Sequence, residues 1–219
     1  MTPTLPLRDG RSIPRLGFGL WEVPRRETAR VVVDALELGY RLVDGAAIYG
    51  NEREMGEGVR AAGLPRDDLF VTTKVWNDRQ ADARRAVGES LDRLGLDRLD
   101  LVLIHWPAPW RGTFVKAWRD LRALRDEGAV SSIGVSNFDA AQIDCLAAET
   151  GETPALNQVE LHPRLQQRAL RQAHEARGIV TQHWTPLGQG RSFADVQPIA
   201  RRLGRTPAQV ILRWHLEIG

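Results

Sequence analysis

Lysine is nearly missing from this chain. Of 30 basic side chains in 219 residues, arginine supplies all but Lys74 and Lys116. A lysine set inside an apolar run, as in VTTKVW, is therefore less readily dismissed as a surface cation. Cysteine is scarcer still: Cys145 is alone, which excludes an internal disulfide and a four-cysteine zinc site and leaves Cys145 as a helix filler. No apolar run approaches the ~18 residues needed to span a bilayer, and the amino terminus lacks a signal-peptide pattern. Charge of one sign is not concentrated either. The net charge is +2 and the pI near 9.1, but bases alternate with acids, as in RDLRALRDE, the pattern of solvated helix faces. The chain thus reads as a cytoplasmic protein with neither a nucleic-acid nor a membrane partner. Its 42% hydrophobic content suits one globular domain over residues 1–219.

What is present is an alternation. LPLRDG and RSIPRLGFGL read as a hairpin turning at Asp9-Gly10 that plugs one end of the domain. Beyond it, strands are expected at Arg15 to Val23, Tyr40 to Val43, Leu69 to Val75, Leu99 to Ile104, Ala129 to Val135, Ala155 to Val159 and Ile179 to Gln182. Helices alternate with them: Glu27 to Leu38, Glu52 to Ala62, Ala81 to Leu94, Phe114 to Glu127, Asp139 to about Ala148, Gln167 to Ala176, Phe193 to Leu203 and Pro207 to Glu217. Strands recurring every ~24 to 31 residues without a sequence repeat are the βαβ spacing of a parallel α/β fold. An open doubly wound sheet and a closed (β/α)8 barrel both fit. The lack of GxGxxG after the first strand weakens the open sheet.

In a barrel the chemistry gathers at the carboxyl ends of the strands. Asp44, Lys74 and His105 occupy such ends, and Tyr49 follows Asp44 by five residues. Each alone has a plain reading: a cap, a rim cation, a hydrogen-bonded core histidine, a packing ring. Four different polar groups at three successive strand ends are harder to dismiss. A phenol with its ordinary pKa near ~10 donates a proton poorly at neutral pH unless a cation stabilises its anion. Lys74 offers that cation, Asp44 fixes it, and a neutral His105 holds a carbonyl oxygen in line for protonation. The implied reaction adds a nucleophile such as hydride to a carbonyl. A metal site on Glu160, His162 and His105 lacks the spacing of a zinc motif, so no metal is expected. A Schiff-base lysine remains a rival for Lys74.

GYRLVDGAAIYGNE, LFVTTKVWN, LDLVLIHWP, IGVSNF, PALNQVELHP, WTPLGQG and RTPAQVILRWHLEIG together resemble the aldo-keto reductases, in family order along essentially the whole chain. WTPLGQG is similar to the bacterial keto-acid and keto-sugar reductases. The resemblance implies a (β/α)8 TIM-barrel fold and a catalytic tetrad of Asp44, Tyr49, Lys74 and His105, with Tyr49 the proton donor. It implies NADPH, or else NADH, as cofactor. Ser136, Asn137 and Gln158 would hold the nicotinamide carboxamide, Trp184 would stack on its ring, and Leu187, Gly188, Gln189 and Gly190 would follow the pyrophosphate. Trp21, Trp76, Trp106 and Trp110 would wall a pocket for an aldehyde, ketone or keto-sugar.

Two departures accompany the resemblance. Gly45 stands where family members commonly carry threonine or serine. The family's eighth strand, 2′-phosphate-gripping basic segment and final helix do not follow the WHLEIG-like helix. A monomer is expected of an intact barrel, with association possible through an open edge. The alternative to a reductase is a noncatalytic nucleotide- or partner-binding module.

Overall fold

A computed structural model describes residues 3–219. The hairpin pairs β1 (Thr4–Pro6) with β2 (Ser12–Pro14), antiparallel. Its turn is closed by Gly10 at φ +85° and by the Asp9 carboxylate accepting from the Arg11 N–H. Leu7 and Ile13 are buried against Leu42, Leu101, Leu103 and Leu156, so the hairpin does plug the floor of the larger sheet.

That sheet has seven parallel strands in chain order: β3 (Gly17–Gly19), β4 (Leu42–Asp44), β5 (Phe70–Val75), β6 (Leu99–Ile104), β7 (Val130–Ser136), β8 (Leu156–Glu160) and β9 (Val180–Trp184). Helices α1 (Arg25–Glu37), α2 (Glu52–Ala61), α3 (Ala83–Leu94), α4 (Phe114–Asp126), α5 (Ala140–Thr150), α6 (Arg168–Glu175), α7 (Phe193–Leu203) and α8 (Pro207–Ile218) join and follow them. The fold is the expected TIM-barrel type, nearly closed, with β3 and β9 as the two ends of the sheet. No helix among the described residues is long and apolar enough to cross a membrane.

Alternation along the strands explains both faces of the sheet. Val43, Val71, Val75, Val102, Ile104, Ile133 and Val135 point outward into one apolar cluster with helix residues such as Val32, Val59, Leu94 and Trp118. Leu42, Leu101, Leu103 and Leu156 point inward and fill the floor with the hairpin. Two residues further along the same inward rows, Leu42 gives way to Asp44 and Leu156 to Gln158, and Lys74, Ser136 and Gln182 lie on the inward rows of β5, β7 and β9. The change from apolar floor to polar mouth is thus written into β4 and β8. Gly134 lies on an inward row where no side chain fits: a Cβ there would fall 2.7 Å from the Leu156 carbonyl and 2.8 Å from the Leu103 side chain.

Several boundaries differ from expectation for visible reasons. The strand expected over Arg15 to Val23 shrinks to Gly17–Gly19, because Glu22 turns left-handed at φ 61° and Pro24 starts α1. The Ala81 to Leu94 helix begins as a 3-10 segment, Asn77–Asp82, before α3. Asp139 caps α5 through a reciprocal box with Gln142. Cys145 is exposed on α5 and fills no core.

Candidate active site

The mouth is built around a fully buried cation. Lys74 sits near the end of β5 with a side chain that is 0% exposed. Its ammonium donates to Asp44 Oδ2 at 2.6 Å and to the Gly45 carbonyl at 2.8 Å, and it lies 3.5 Å from the Tyr49 hydroxyl. Such a charge is tolerable only because a carboxylate and two further oxygens replace its water. Gly45 has a local cause as well: a Cβ there would meet the Met55 sulfur at 2.6 Å, so a larger residue would displace Met55 from the α2 core.

Tyr49 ends a single 3-10 turn, Ala47–Tyr49, closed by Gly50 at φ 72°. The next residue, Asn51, is buried, and its amide donates to the Leu20 and Val23 carbonyls. That contact ties the tyrosine turn to the loop carrying Trp21. Glu52, also buried, accepts from Thr73 at 2.5 Å and pairs with Arg93, bracing the strand beside Lys74.

The rings of Tyr49 and His105 meet edge to face, with centroids 5.8 Å apart, and Trp76 meets His105 edge to face at 4.9 Å. Burial, with the Lys74 charge added, lowers the His105 pKa to about 3, so the imidazole is neutral at ordinary pH. Its Nδ1 is buried without a partner, which suits a bare lone pair better than an N–H; the proton therefore belongs on Nε2. Burial raises the Tyr49 phenol above its usual range, with the opposing pull of Lys74 second in size. Lys74 does pull the phenol down, as its charge requires, but burial is the larger effect. In this state burial wins and the phenol keeps its proton, while Lys74 moderates the cost of losing it.

On the far side, Ser136, Gln158 and Gln182 lie at matched positions of β7, β8 and β9. Gln158 donates to Asp44 Oδ1 at 3.1 Å and to Gln182 Oε1 at 2.8 Å. Asn137, left-handed at φ 62°, donates to the His105 carbonyl and to Ser136 Oγ, and accepts the Trp184 indole N–H at 2.9 Å. The half-buried indole is therefore held in one plane beside the polar row. Leu187 precedes a left-handed run, Gly188 (φ 55°), Gln189 (φ 54°) and Gly190 (φ 79°), in which the Gly188 and Gly190 N–H groups donate to the Thr185 and Leu187 carbonyls. Gly188 also leaves room for the His162 ring, which would lie 3.2 Å from a Cβ. His162 Nε2 itself lies 3.4 Å from Glu160 Oε1.

The four tryptophans differ. Trp76 is half-buried against His105, Trp106 is 40% exposed, Trp21 51% and Trp110 78%. Gln80, buried, binds the Trp106 carbonyl at 2.7 Å and accepts from Thr113, holding the loop that bears Trp106 and Trp110. Exposed Ile48 stands immediately before Tyr49. Sequence reasoning missed Asn51, Gln80 and Gln182. Only Gln182 carried a signal, a polar residue on an inward strand row.

Known proteins resemble the chain throughout its length. Residues 15–218 match the Aldo/keto reductase family. An aldo-keto reductase of Mycolicibacterium smegmatis is 48% identical over 100% of this chain and 81% of its own length. Methylglyoxal reductase DkgA of Yersinia pestis is 47% identical over 100% and 80%, respectively. Among solved structures, a point mutant of Gox0644 in complex with NADPH superposes with a TM-score of 0.95 at 45% identity, over 100% of this chain and 81% of that one. The chain belongs to the aldo/keto reductase family.

Proposed function

We propose that this chain is an NADPH-dependent reductase that converts an aldehyde, ketone or keto-sugar to an alcohol, with Tyr49 as the proton donor. The observation that carries the proposal is the buried Lys74 ammonium, fixed by Asp44 and directed at the Tyr49 hydroxyl beside a neutral His105. Similarity to a methylglyoxal reductase favours small oxo-aldehydes within that class.

The polar row fits a nicotinamide. Gln158 spends both amide hydrogens on protein acceptors, which leaves its oxygen for a primary amide, and the fixed face of Trp184 offers a flat surface to a planar ring. Ser136 and Asn137 adjoin that row, and the glycines of the Leu187 to Gly190 turn allow a pyrophosphate close approach to the backbone. When bound there, NADPH supplies the hydride.

The chain's own residues supply the rest. His105 Nε2–H donates to the carbonyl oxygen and sets its direction. Tyr49 passes its hydroxyl proton to that oxygen as negative charge develops on it. Lys74, held by Asp44, stabilises the resulting phenolate, and its burial strengthens the effect because little water screens it. Trp21, Trp76 and Trp106 exclude water and enclose the carbon body of the substrate.

The test follows NADPH absorbance with methylglyoxal and a panel of ketones and keto-sugars. Wild type should turn over, and Tyr49→Phe should lose at least ~100-fold in kcat while still binding NADPH, since a positioned general acid contributes about 10²–10⁴-fold. Undiminished turnover in Tyr49→Phe would remove the phenol from the mechanism. Fluorescence quenching by NADPH without any wild-type turnover would favour a binding module.

A further inference from the structure

We propose that Gln182 is a positioning residue: with Asp44 it pins both hydrogens of the Gln158 NH2, and so holds the Gln158 oxygen toward the cofactor. The proposal rests on the reading of the polar row as the nicotinamide site. Asp44, ionised against Lys74, can only accept hydrogen bonds, so the group facing it at 3.1 Å must be the Gln158 NH2. The second hydrogen of that NH2 then needs an acceptor of its own. Gln182 Oε1 provides it at 2.8 Å, from the matched position on the neighbouring parallel strand.

Two acceptors on one NH2 leave a single orientation for the amide. Without Gln182, Gln158 keeps only its bond to Asp44, and the amide is free to pivot about it. Gln158 is itself 4% exposed, so no bulk water replaces the lost partner at full strength. Gln182 therefore acts at one remove from the ligand. It selects for a ligand with an N–H donor at that point, as a carboxamide has and an acetyl group does not. Through Gln158 it also joins the edge strand β9 to the Asp44–Lys74 pair, so that one unbroken chain of hydrogen bonds runs from Gln182 to the Tyr49 hydroxyl.

The experiment compares equilibrium binding of NADP with binding of its 3-acetylpyridine analogue, which lacks the carboxamide N–H, by tryptophan fluorescence. Wild type should prefer NADP by about fivefold, one hydrogen bond's worth. In Gln182→Met the preference should fall below about twofold, while the KM for the carbonyl substrate stays within about twofold of wild type. Gln182→Glu should restore the preference, because a carboxylate oxygen accepts from Gln158 as the amide oxygen does. Gln182→Thr, a strand-favouring residue too short to reach Gln158, should behave as Gln182→Met does and covers a folding failure of the latter.

A wild-type preference retained in Gln182→Met or Gln182→Thr overturns the proposal, as does a Gln182→Glu protein that discriminates no better than Gln182→Met. Either result with intact wild-type turnover leaves the reductase reading standing. A wild-type protein that neither binds NADP nor turns over a carbonyl removes that reading and this proposal together.

Discussion

The two sides of the barrel mouth hold their polar groups differently. On the β4–β6 side every strand has parallel neighbours on both flanks, and the centre is an ion pair whose lysine is wholly buried. On the β8–β9 side the last strand is paired on one flank only. All five residues of β9 are half-buried, and the contacts at Gln158, Gln182, Asn137 and Trp184 are amide, indole and hydroxyl hydrogen bonds. A sheet interior can keep a charge dry, which is what proton transfer to a carbonyl oxygen needs. A half-buried row of amide, indole and hydroxyl groups can offer neutral, adjustable contacts, which suit holding a ligand that must come and go. If this division is right, perturbations on the first side should be severe and those on the second graded.

The most severe should be Lys74→Met. It removes the cation that would stabilise the Tyr49 anion and leaves Asp44 half-desolvated with only the Gln158 amide as partner. Turnover should fall at least ~100-fold, and unfolding free energy should drop by about 3–5 kcal/mol, the usual cost of stranding one member of a buried pair. Steady-state kinetics and urea denaturation read the two effects separately. Stability close to wild type would mean that water reaches Asp44 freely, and the contrast between the two sides would dissolve.

Acid should act on both sides, each ring by less than the loss of Lys74. Burial is the main cause that lowers His105 and His183 to about 3 and His174 to about 4. Their unfolded-state value lies near ~6.5, so the unfolded chain binds more protons in the interval between. The stability they contribute is complete above about pH 6.5 and is lost as pH falls toward 4 and then 3. At about pH 5 each ring kept neutral costs on the order of 2 kcal/mol of the stability present at neutral pH. Urea midpoints measured between neutral pH and about pH 5 should decline steadily. A flat profile would show that these rings protonate in place.

How much of this could be read beforehand depends on what each residue faces. The seven parallel strands and the hairpin plug followed from apolar alternation and turn residues, which are local. Asp44, Lys74 and His105 stood out because each interrupts an apolar strand at the end where a barrel keeps its chemistry. Tyr49 was legible only by its distance from Asp44, since its position depends on a one-turn helix closed by Gly50. Asn51 and Gln80 were invisible because their partners are backbone carbonyls, of Leu20 and Val23 in one case and Trp106 in the other, which carry no sequence signature. The direction of the Tyr49 shift was also out of reach. It is a balance between burial and the Lys74 charge, and only three-dimensional packing decides which is larger.

The mildest perturbation belongs on the edge strand, at His183. His215 donates its Nε2–H to the Pro186 carbonyl at 2.9 Å, so its Nδ1 is a lone pair facing His183 Nδ1 at 2.8 Å. His183 must therefore carry its proton on Nδ1, which leaves its Nε2 bare and buried without a partner. His183→Asn keeps an N–H able to donate toward His215 and removes the titrating ring. At neutral pH the loss should stay below about 1 kcal/mol, the worth of one hydrogen bond, with kcat and NADPH affinity within about twofold of wild type. Between pH 6.5 and 4 the variant should lose less stability than wild type does, because one of the rings that resist protonation is gone. A collapse of activity in His183→Asn would show that β9 transmits strain to the ion-paired side, and that the two halves of the mouth are mechanically one.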